Sequence, residues 1–329
     1  MKTKIGNLLA RVGLNGFLLG IFGAIGLASV FPDFGSAGSG IPWKPFIQVG
    51  IAFLFFFYGL KLDPNQLRVG LSNWRLHTVV QLTTFLVFPL LVMGTVSFIP
   101  GLNPNFILGI QYLGALPSTV SASVVLVSIA GGNVASAIFN ASISSLLGVV
   151  LTPLWMQFAG GEVSGQLDLW VSIVDLSFKV VLPVLLGLIL HRYLFPKIKP
   201  YLNRLKYLDQ TVILSIVFTT FSESFSQNIF VSFSWKVLGG LALLMGILLL
   251  LVAAILFLLG RMLSFPKEDQ LVALFCGSTK SLVHGVAMGK VLFPSAALLG
   301  LVLLPVMLYH LQQLILGSIL AKYFEKKKP

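Results

Sequence analysis

Ten apolar runs, each close to the length that crosses a bilayer, constrain this chain more than any other feature. About 20 helical residues cross the hydrocarbon core of a bilayer. The runs must be helical because lipid offers no partners for backbone N–H and C=O groups. The sequence therefore predicts an all-α polytopic membrane protein with ten transmembrane helices. The runs lie at 13–30, 42–60, 78–99, 105–130, 133–158, 168–190, 209–227, 236–260, 269–290 and 296–321.

The composition excludes most soluble classes of protein. Hydrophobic residues make up 57% of the chain and charged residues 10%, too few for the polar coat of a soluble domain. The basic start and the small residues near Ala28 are typical of a signal peptide, but the apolar run is too long, so we interpret it as a retained first helix. The single cysteine, Cys276, excludes an intramolecular disulfide and a cysteine-based metal site.

The net charge of +12 is a topology signal. Of the 22 Lys and Arg residues, 17 lie in segments on one side of the membrane, and 5 lie elsewhere. This asymmetry predicts that both termini are cytoplasmic in the plasma membrane, which in a bacterium is the inner membrane. The basic balance therefore points to a lipid bilayer as partner and not to a nucleic acid. The five exceptions are Lys44, Lys236 and Lys290 on the outer side and Lys179 and Lys280 within spans.

The positions of the spans and of their interruptions predict two repeats. The fourth span is interrupted by "GALPSTVSAS" (114–123) and the ninth by "CGSTKS" (276–281), about 160 residues apart. The same offset carries the first span to the sixth, which the longest polar connection, 191–208, follows. Two five-helix repeats result, about 1–160 and 161–329, and an odd number of spans per repeat makes them inverted. Interrupted helices at matching positions of inverted repeats indicate the binding site of a secondary transporter.

The fourth-span interruption offers polar groups at membrane depth. Pro117 removes a backbone donor, so carbonyl and amide groups around it lose their helical partners. The freed carbonyls and four neighbouring hydroxyls could ligate a cation or hold a polar substrate. Each hydroxyl could equally bond only to the carbonyl four residues before it, and that alternative stays open. The hydroxyls belong to Ser118, Thr119, Ser121 and Ser123.

The fifth span carries a polar stripe. Ser136, Asn140 and Ser144 recur at a spacing of four residues, which places them on one helix face. Such a stripe either joins two helices or lines a site, and the sequence does not choose between them.

Lys280 in the ninth span is the strongest anomaly of the sequence. A lysine at the bilayer centre costs about 2.5–3.5 kcal/mol on insertion scales. Three interpretations compete: a structural cation that neutralises the carbonyl ends of broken helices, a ligand for an anionic substrate, or a proton carrier. His284, one turn later, is either a proton partner or a hydrogen-bonded packing residue. The polar neighbours of Lys280 are Ser278, Thr279 and Ser281.

Two acidic residues lie at membrane depth. Asp175 and Lys179 have the spacing of an intrahelical ion pair, which predicts a structural role. Glu223, near the outer end of the seventh span, is either interfacial or a candidate coupling carboxylate.

These features resemble the bile acid:sodium symporter family, and its divergent SBF-like branch in particular. Similar segments cover nearly the whole chain, and the resemblance implies a fold with spans one, two, six and seven in a panel domain. Spans three to five and eight to ten form a core domain, spans four and nine cross within it, and substrate moves between the domains by alternating access. The segments are "TFLVFPLL" (84–91), "LPSTVSASV" (116–124), "NVASAIFNASISSLLGVVLTPLW" (133–155) and "FCGSTKSLVHGVAMGKVLF" (275–293).

The sodium ligands of the better-studied branch are mostly missing. Positions that hold Gln, Glu and Gln there align with Thr84, Phe275 and Thr279, and a Ser-Asn pair aligns with Ser123 and Val124. An ammonium group can donate to the carbonyl oxygens that would ligate a cation. We therefore hypothesise that Lys280 occupies the region of one lost sodium site. A residual ion site could persist near Ser123, Asn140, Ser144 and Ser145.

The sequence thus predicts a secondary active transporter of a small organic anion, coupled to sodium or protons, with no cofactor beyond a sodium ion. A non-transporting membrane regulator or receptor that keeps the fold is the alternative. An intramembrane enzyme would need paired catalytic groups. Only Lys280 with His284 offers such a pair, and no nucleophile with an orienting partner is evident, so we predict that the chain is not an enzyme.

Overall fold

The computed structural model of this chain is helical throughout the part that it describes, where it contains no strand, as the sequence predicts. The described residues are 16–36, 38–62, 73–99, 101–160, 174, 177–228, 233–293 and 295–325. The α-helices are α1 (Gly16–Val30), α2 (Pro32–Gly35), α3 (Trp43–Leu60), α4 (Trp74–Leu82), α5 (Phe88–Ser97), α6 (Pro104–Ala115), α7 (Val120–Ala130), α8 (Val134–Gly160), α9 (Leu182–Ile198), α10 (Leu202–Ser226), α11 (Trp235–Met262), α12 (Lys267–Ser278), α13 (Leu282–Leu292) and α14 (Ala296–Glu325). Shorter segments are π-helical at Thr83–Val87 and Ser177–Val181 and 3₁₀-helical at Lys199–Tyr201.

Seven helical segments of the described chain are long and apolar enough to cross a membrane, so this is a multi-pass membrane protein. The other three predicted spans differ in length or polarity: α1 is shorter within the described residues, the fourth span is split into α6 and α7, and α10 is less apolar. The ten-span inverted repeat stays a prediction. The seven segments are Trp43–Leu60, Trp74–Ser97, Val134–Phe158, Phe178–Tyr201, Trp235–Met262, Lys267–Leu292 and Ala296–Glu325.

The polar connection at 191–208 is largely helical. Helix α9 continues to Ile198, a 3₁₀ turn follows, and α10 begins at Leu202. Basic side chains such as Arg192 and Lys197 are exposed on this part of α9. The polar composition therefore marks helix ends that extend beyond the hydrocarbon, where exposed charge is favourable and the helical hydrogen bonds can continue.

A proline explains the π-helical segment of the third predicted span. Pro89 lacks an N–H group, so the carbonyl of Phe85 loses its usual helical partner. The indole Nε1 of Trp155, on α8, donates to that carbonyl at 2.6 Å. The carbonyl of Phe85 therefore keeps a partner, and the bond joins α8 to this span.

Helices α3 and α9 lie backbone against backbone. A Cβ added at Gly59 would collide with the carbonyl of Val184, and one added at Gly187 would collide with the carbonyl of Phe56. Only glycine allows this approach, so the two glycines set the distance between α3 and α9.

The helices pack around two clusters of buried apolar side chains. Helix α10 contacts α1, α3 and α14, while α14 also contacts α6, α7 and α11. On α11, Leu243 is 67% exposed and Ile247 is 53% exposed. In a membrane protein such a face contacts lipid, so α11 lies at the periphery.

Candidate functional site

The two predicted helix interruptions are confirmed, and they lie in contact. Helix α6 ends at Ala115 and α7 begins at Val120, while α12 ends at Ser278 and α13 begins at Leu282. The backbone N–H of Ser281 donates to the carbonyl of Pro117 at 2.9 Å. The two breaks therefore form one crossover, at which extended backbone from each half is buried.

Side chains also join the two breaks. The hydroxyls of Ser118 and Thr279 lie 3.1 Å apart. The backbone N–H of Ser118 donates to Ser144 Oγ at 2.9 Å, which brings α8 to the crossover. Thr152, a residue that sequence reasoning missed, donates its hydroxyl to the carbonyl of Ala115 at 2.8 Å and so satisfies the end of α6.

The ammonium group of Lys280 occupies the centre of the crossover. Its Nζ lies 2.9 Å from the carbonyl oxygen of Thr84, 2.7 Å from that of Gly114 and 2.8 Å from that of Leu116. The ring centroid of Phe88 lies 4.2 Å from the same Nζ, a cation–π contact. An ammonium has three donors, and these carbonyls take all of them. Because Lys280 is also only 1% exposed, the geometry matches a structural cation and leaves no donor for a substrate.

The backbone of Lys280 is held by α14. Its N–H donates to Gln313 Oε1 at 2.8 Å, and its carbonyl accepts from Gln313 Nε2 at 2.8 Å. His310 Nδ1 lies 2.6 Å from the same amide nitrogen. Sequence reasoning missed both residues. The available signal was an imidazole and an amide three residues apart, on one face of an otherwise apolar run.

Two buried tyrosines satisfy further carbonyls near the break. Tyr309 donates its hydroxyl to the carbonyl of Ser278 at 2.6 Å, and Tyr112 donates to that of Gly285 at 2.8 Å. Neither tyrosine was predicted to belong to the site. The Tyr309 hydroxyl supplies a donor at the end of α12, while the Tyr112 hydroxyl contacts a carbonyl within α13.

Five predicted hydroxyls make local bonds to carbonyls four residues before them. This is the alternative that the sequence left open for hydroxyls in membrane helices. Ser121 lies on α7, and its side chain lies outside the described part of the chain. Thr119 is buried, with its carbonyl accepting from Ser123. The bonds run from Thr84 to Val80, from Ser123 to Thr119, from Ser145 to Ala141, from Ser278 to Leu274 and from Thr279 to Phe275.

Asn140 joins two helices. Its Oδ1 accepts from Gln81 Nε2 at 3.2 Å, its carbonyl accepts from the same nitrogen at 3.0 Å, and its Nδ2 donates to the carbonyl of Ser136 at 3.1 Å. The polar stripe of the fifth span therefore links α8 to α4 through Asn140 and reaches the crossover through Ser144.

His284 lies in a cluster that includes Tyr58, another residue that sequence reasoning missed. Ser281 Oγ lies 2.9 Å from His284 Nδ1 and caps α13. The rings of His284 and Tyr58 meet edge to face, with centroids 5.0 Å apart. The Tyr58 hydroxyl lies 2.6 Å from Ser145 Oγ. One side chain of α3 thus contacts both α8 and α13.

Glu223 lies away from the crossover, on the wall of a cavity of about 760 Å³. Its Oε1 accepts from Gln227 Nε2 at 2.8 Å. Three lysines line the same cavity, a convergence that sequence reasoning missed: Lys44, Lys179 and Lys290. Asp175, the predicted partner of Lys179, lies outside the described residues. Within the part of the chain that the structure describes, no group of three or more His, Cys, Asp or Glu residues is placed to hold a metal ion.

Comparison with protein families finds one family that matches nearly the whole chain. The model of the SBF-like CPA transporter family matches residues 15–326. This match covers both helix interruptions and every described helix that contributes to the crossover.

Individual relatives are similar over nearly their whole length. The chain is 37% identical to the uncharacterized protein PA2026 of Pseudomonas aeruginosa, over 95% of this chain and 93% of the relative. It is 35% identical to YfeH of Escherichia coli, which carries the name of a symporter, over 95% and 94% respectively. It is also 33% identical to the sodium/bile acid cotransporter 7 of Rattus norvegicus, over 95% and 93%.

Proposed function

The chain belongs to the SBF-like CPA transporter family, and on this basis we propose that it is a secondary active transporter of a small organic anion in which Lys280 replaces one coupling sodium ion. Its family and the names of its relatives indicate a membrane transporter and not an enzyme. The names "symporter" and "cotransporter" support a substrate that moves together with an ion. The substrate and the ion are the part that we propose.

The observation that carries the proposal is the set of three carbonyl oxygens within 2.9 Å of Lys280 Nζ. Carbonyl oxygens at broken helices are the groups by which transporters of this kind coordinate sodium. Thr84, which aligns with a sodium-ligating Gln in the better-studied branch, contributes its carbonyl to the ammonium. A covalently attached cation therefore neutralises the crossover without any ion from solution.

A sodium ion does not fit beside the Lys280 ammonium. The three carbonyls already accept charge-assisted hydrogen bonds, and two cations sharing them would repel each other strongly at low dielectric. Any coupling ion must therefore act elsewhere. We propose the neighbourhood of Ser123, Asn140, Ser144 and Ser145 for a residual sodium site, with proton coupling as the alternative. Hydroxyl oxygens there keep acceptor lone pairs while they donate to backbone carbonyls.

We propose alternating access between a panel of predicted spans one, two, six and seven and a core of spans three to five and eight to ten. The bond between Tyr58, on α3, and Ser145, on α8, would then join panel to core and would have to break during transport. By the positive-inside rule both termini are cytoplasmic, so the cavity containing Lys44 and Lys290 faces outward. The contact between α3 and α9, and that between α1 and α10, support the panel.

Sodium-dependent stability of the purified protein tests the role of Lys280. We expect sodium chloride to raise the wild-type unfolding temperature, relative to potassium or choline chloride, by less than the binding of two sodium ions would. Lys280→Ala, which vacates the space beside three carbonyls, should be less stable and should gain a specific response to sodium. Lys280→Met fills the same space with an apolar chain and should gain none.

Two results would overturn the replacement of sodium by Lys280. One is strong sodium stabilisation of the wild type that is unchanged in Lys280→Ala. The other is an equal sodium response in the Ala and Met variants. Counterflow of a stabilising anion into proteoliposomes tests transport itself, because a receptor that keeps the fold would bind the anion without moving it.

A further inference from the structure

The cavity beside Glu223 is large enough for a small organic molecule. Its volume of about 760 Å³ lies within the range that ligand pockets commonly have, roughly 300–1,000 Å³. Its walls come from the loop before α3, from α3 itself, from α10, from the end of α13 and from the start of α14. Lys280 and the hydroxyls of the crossover do not line this cavity, so the cavity is a separate site.

Positive charge dominates the described lining of this cavity. Lys44 lies in the first turn of α3, Lys179 in the π-helical segment before α9, and Lys290 in the last turn of α13. Lys290 interacts electrostatically with both Glu223 and Lys44. Three ammonium groups and one carboxylate give the described lining a net charge of +2. Like charges gathered around one cavity repel each other, and an anion bound among them would relieve that repulsion.

Helix ends of both polarities line this cavity. Trp43 begins α3 and Ala296 begins α14, while Gln227 follows the last residue of α10 and Val291 lies in the last turn of α13. The N-terminal end of a helix carries a partial positive charge and the C-terminal end a partial negative charge, so the helix dipoles oppose each other here. The preference for an anion therefore depends on the lysines and not on the backbone.

The rest of the lining indicates an organic body between charged groups. Ile47, Ile51 and Val291 provide apolar surface, while Gln48 and Thr219 provide hydrogen-bonding groups. An inorganic anion would leave the apolar wall uncovered. A carbon skeleton with anionic ends would contact the apolar wall and the lysines together.

We infer that this cavity binds an organic dianion whose two negative groups are separated by a short carbon skeleton. Three lysines on three different helical elements offer an anion more than one partner, and the separation of the two negative groups follows from that placement. The inference rests on the proposed function, since it names the class of the transported anion. Lys44 and Lys179 belong to predicted panel spans and Lys290 to a predicted core span, so one bound dianion would join the two domains.

Ligand-induced stabilisation of the full-length purified protein tests the inference. The probes are succinate, glutarate and adipate, each compared with its own monomethyl ester at constant ionic strength. The ester keeps the size and removes one charge. The half-saturating concentration of at least one diacid should be lower than that of its ester by about tenfold or more.

Charge-neutralising variants identify the lysines that bind. Lys44→Gln, Lys179→Gln and Lys290→Gln should each weaken binding of that diacid by about tenfold. Lys236→Gln is the matched control, because Lys236 is exposed in the first turn of α11 and does not line the cavity. Lys290→Arg, which restores the charge, should recover most of the affinity and would separate lost charge from misfolding.

The outcomes separate this inference from the proposed function. Equal affinity for diacid and ester at every length, or an effect of Lys236→Gln equal to the others, would overturn the dianion site. Tighter binding of phenyl phosphate, which carries both charges on one group, would overturn the separation of the charges. Dianion binding without counterflow would keep the site and overturn transport. Counterflow of a monoanion without any preference for dianions would support transport and overturn the dianion site.

Discussion

The side-chain amide of Gln313 pairs with both backbone polar groups of Lys280. Gln313 Oε1 accepts from the Lys280 N–H and Gln313 Nε2 donates to the Lys280 carbonyl, each at 2.8 Å. An extended residue inside a broken helix loses its helical hydrogen bonds, and here one side chain of α14 supplies both. Because the backbone of Lys280 is fixed in this way, its ammonium group is directed at the carbonyls of the crossover.

Gln313→Leu should destabilise the protein strongly. The substitution leaves a buried N–H and a buried carbonyl without partners, each costing about 1–3 kcal/mol. We expect a loss of about 2–5 kcal/mol in the free energy of unfolding, measured by denaturant titration in detergent. The control is Gln312→Leu, which removes one bond, from Nε2 to the carbonyl of Ala242, at a half-buried position. Equal losses for the two variants would contradict the pairing.

The hydrogen bond between Tyr58 and Ser145 should appear as a coupling energy between these residues. Tyr58→Phe keeps the ring contact with His284 and removes only the hydroxyl. In a double-mutant cycle with Ser145→Ala, we expect a coupling of about 0.5–1.5 kcal/mol in unfolding free energy. Ser142→Ala on the same helix is the control, because the Ser142 hydroxyl donates to the carbonyl of Ile138. A coupling as large with Ser142 would show that the effect is not specific to this bond.

Much of the helical framework followed from the sequence because its cause is local. Apolar length identifies membrane helices, and Pro117 located the first interruption, since a missing N–H acts on its own chain. The interruptions predicted within 114–123 and 276–281 are observed at 116–119 and 279–281. The polar connection at 191–208 is largely helical, because polarity marks exposure and an exposed segment can still be helical.

The site was harder to predict because its partners are distant in sequence. Lys280 stood out as a charge in an apolar run, but its acceptors are backbone carbonyls. Every residue has a backbone carbonyl, so the sequence does not identify which ones accept. Gln313 acts on backbone 33 positions away, so no periodic pattern points to it. The cavity lysines come from three separate elements, and only the fold brings Lys44, Lys179 and Lys290 together.

Asp269 should stabilise the turn between α7 and α8. Its Oδ2 accepts from Asn73 Nδ2 at 2.7 Å and its Oδ1 from Asn133 Nδ2 at 3.3 Å, while it is 8% exposed in the first turn of α12. Asp269→Asn removes a charge-assisted acceptor and should lower the unfolding free energy by about 1–3 kcal/mol. Glu268→Gln is the control, because Glu268 is the exposed neighbour in the same turn. Similar unfolding temperatures for the two variants would contradict this role.

Gly59→Ala should separate α3 from α9. The added Cβ would meet the carbonyl of Val184, which is backbone and cannot turn away as a flexible side chain would. Forcing an extra methyl group into a closely packed interior costs about 1–3 kcal/mol. Gly187→Ala, which would meet the carbonyl of Phe56, should have a similar effect on the unfolding free energy measured in detergent. Gly239→Ala on α11 is the control: nothing lies within 4 Å of its added Cβ, so the better helix propensity of alanine should leave stability unchanged or slightly higher. If all three variants unfold alike, the close contact between α3 and α9 does not limit the stability of the fold.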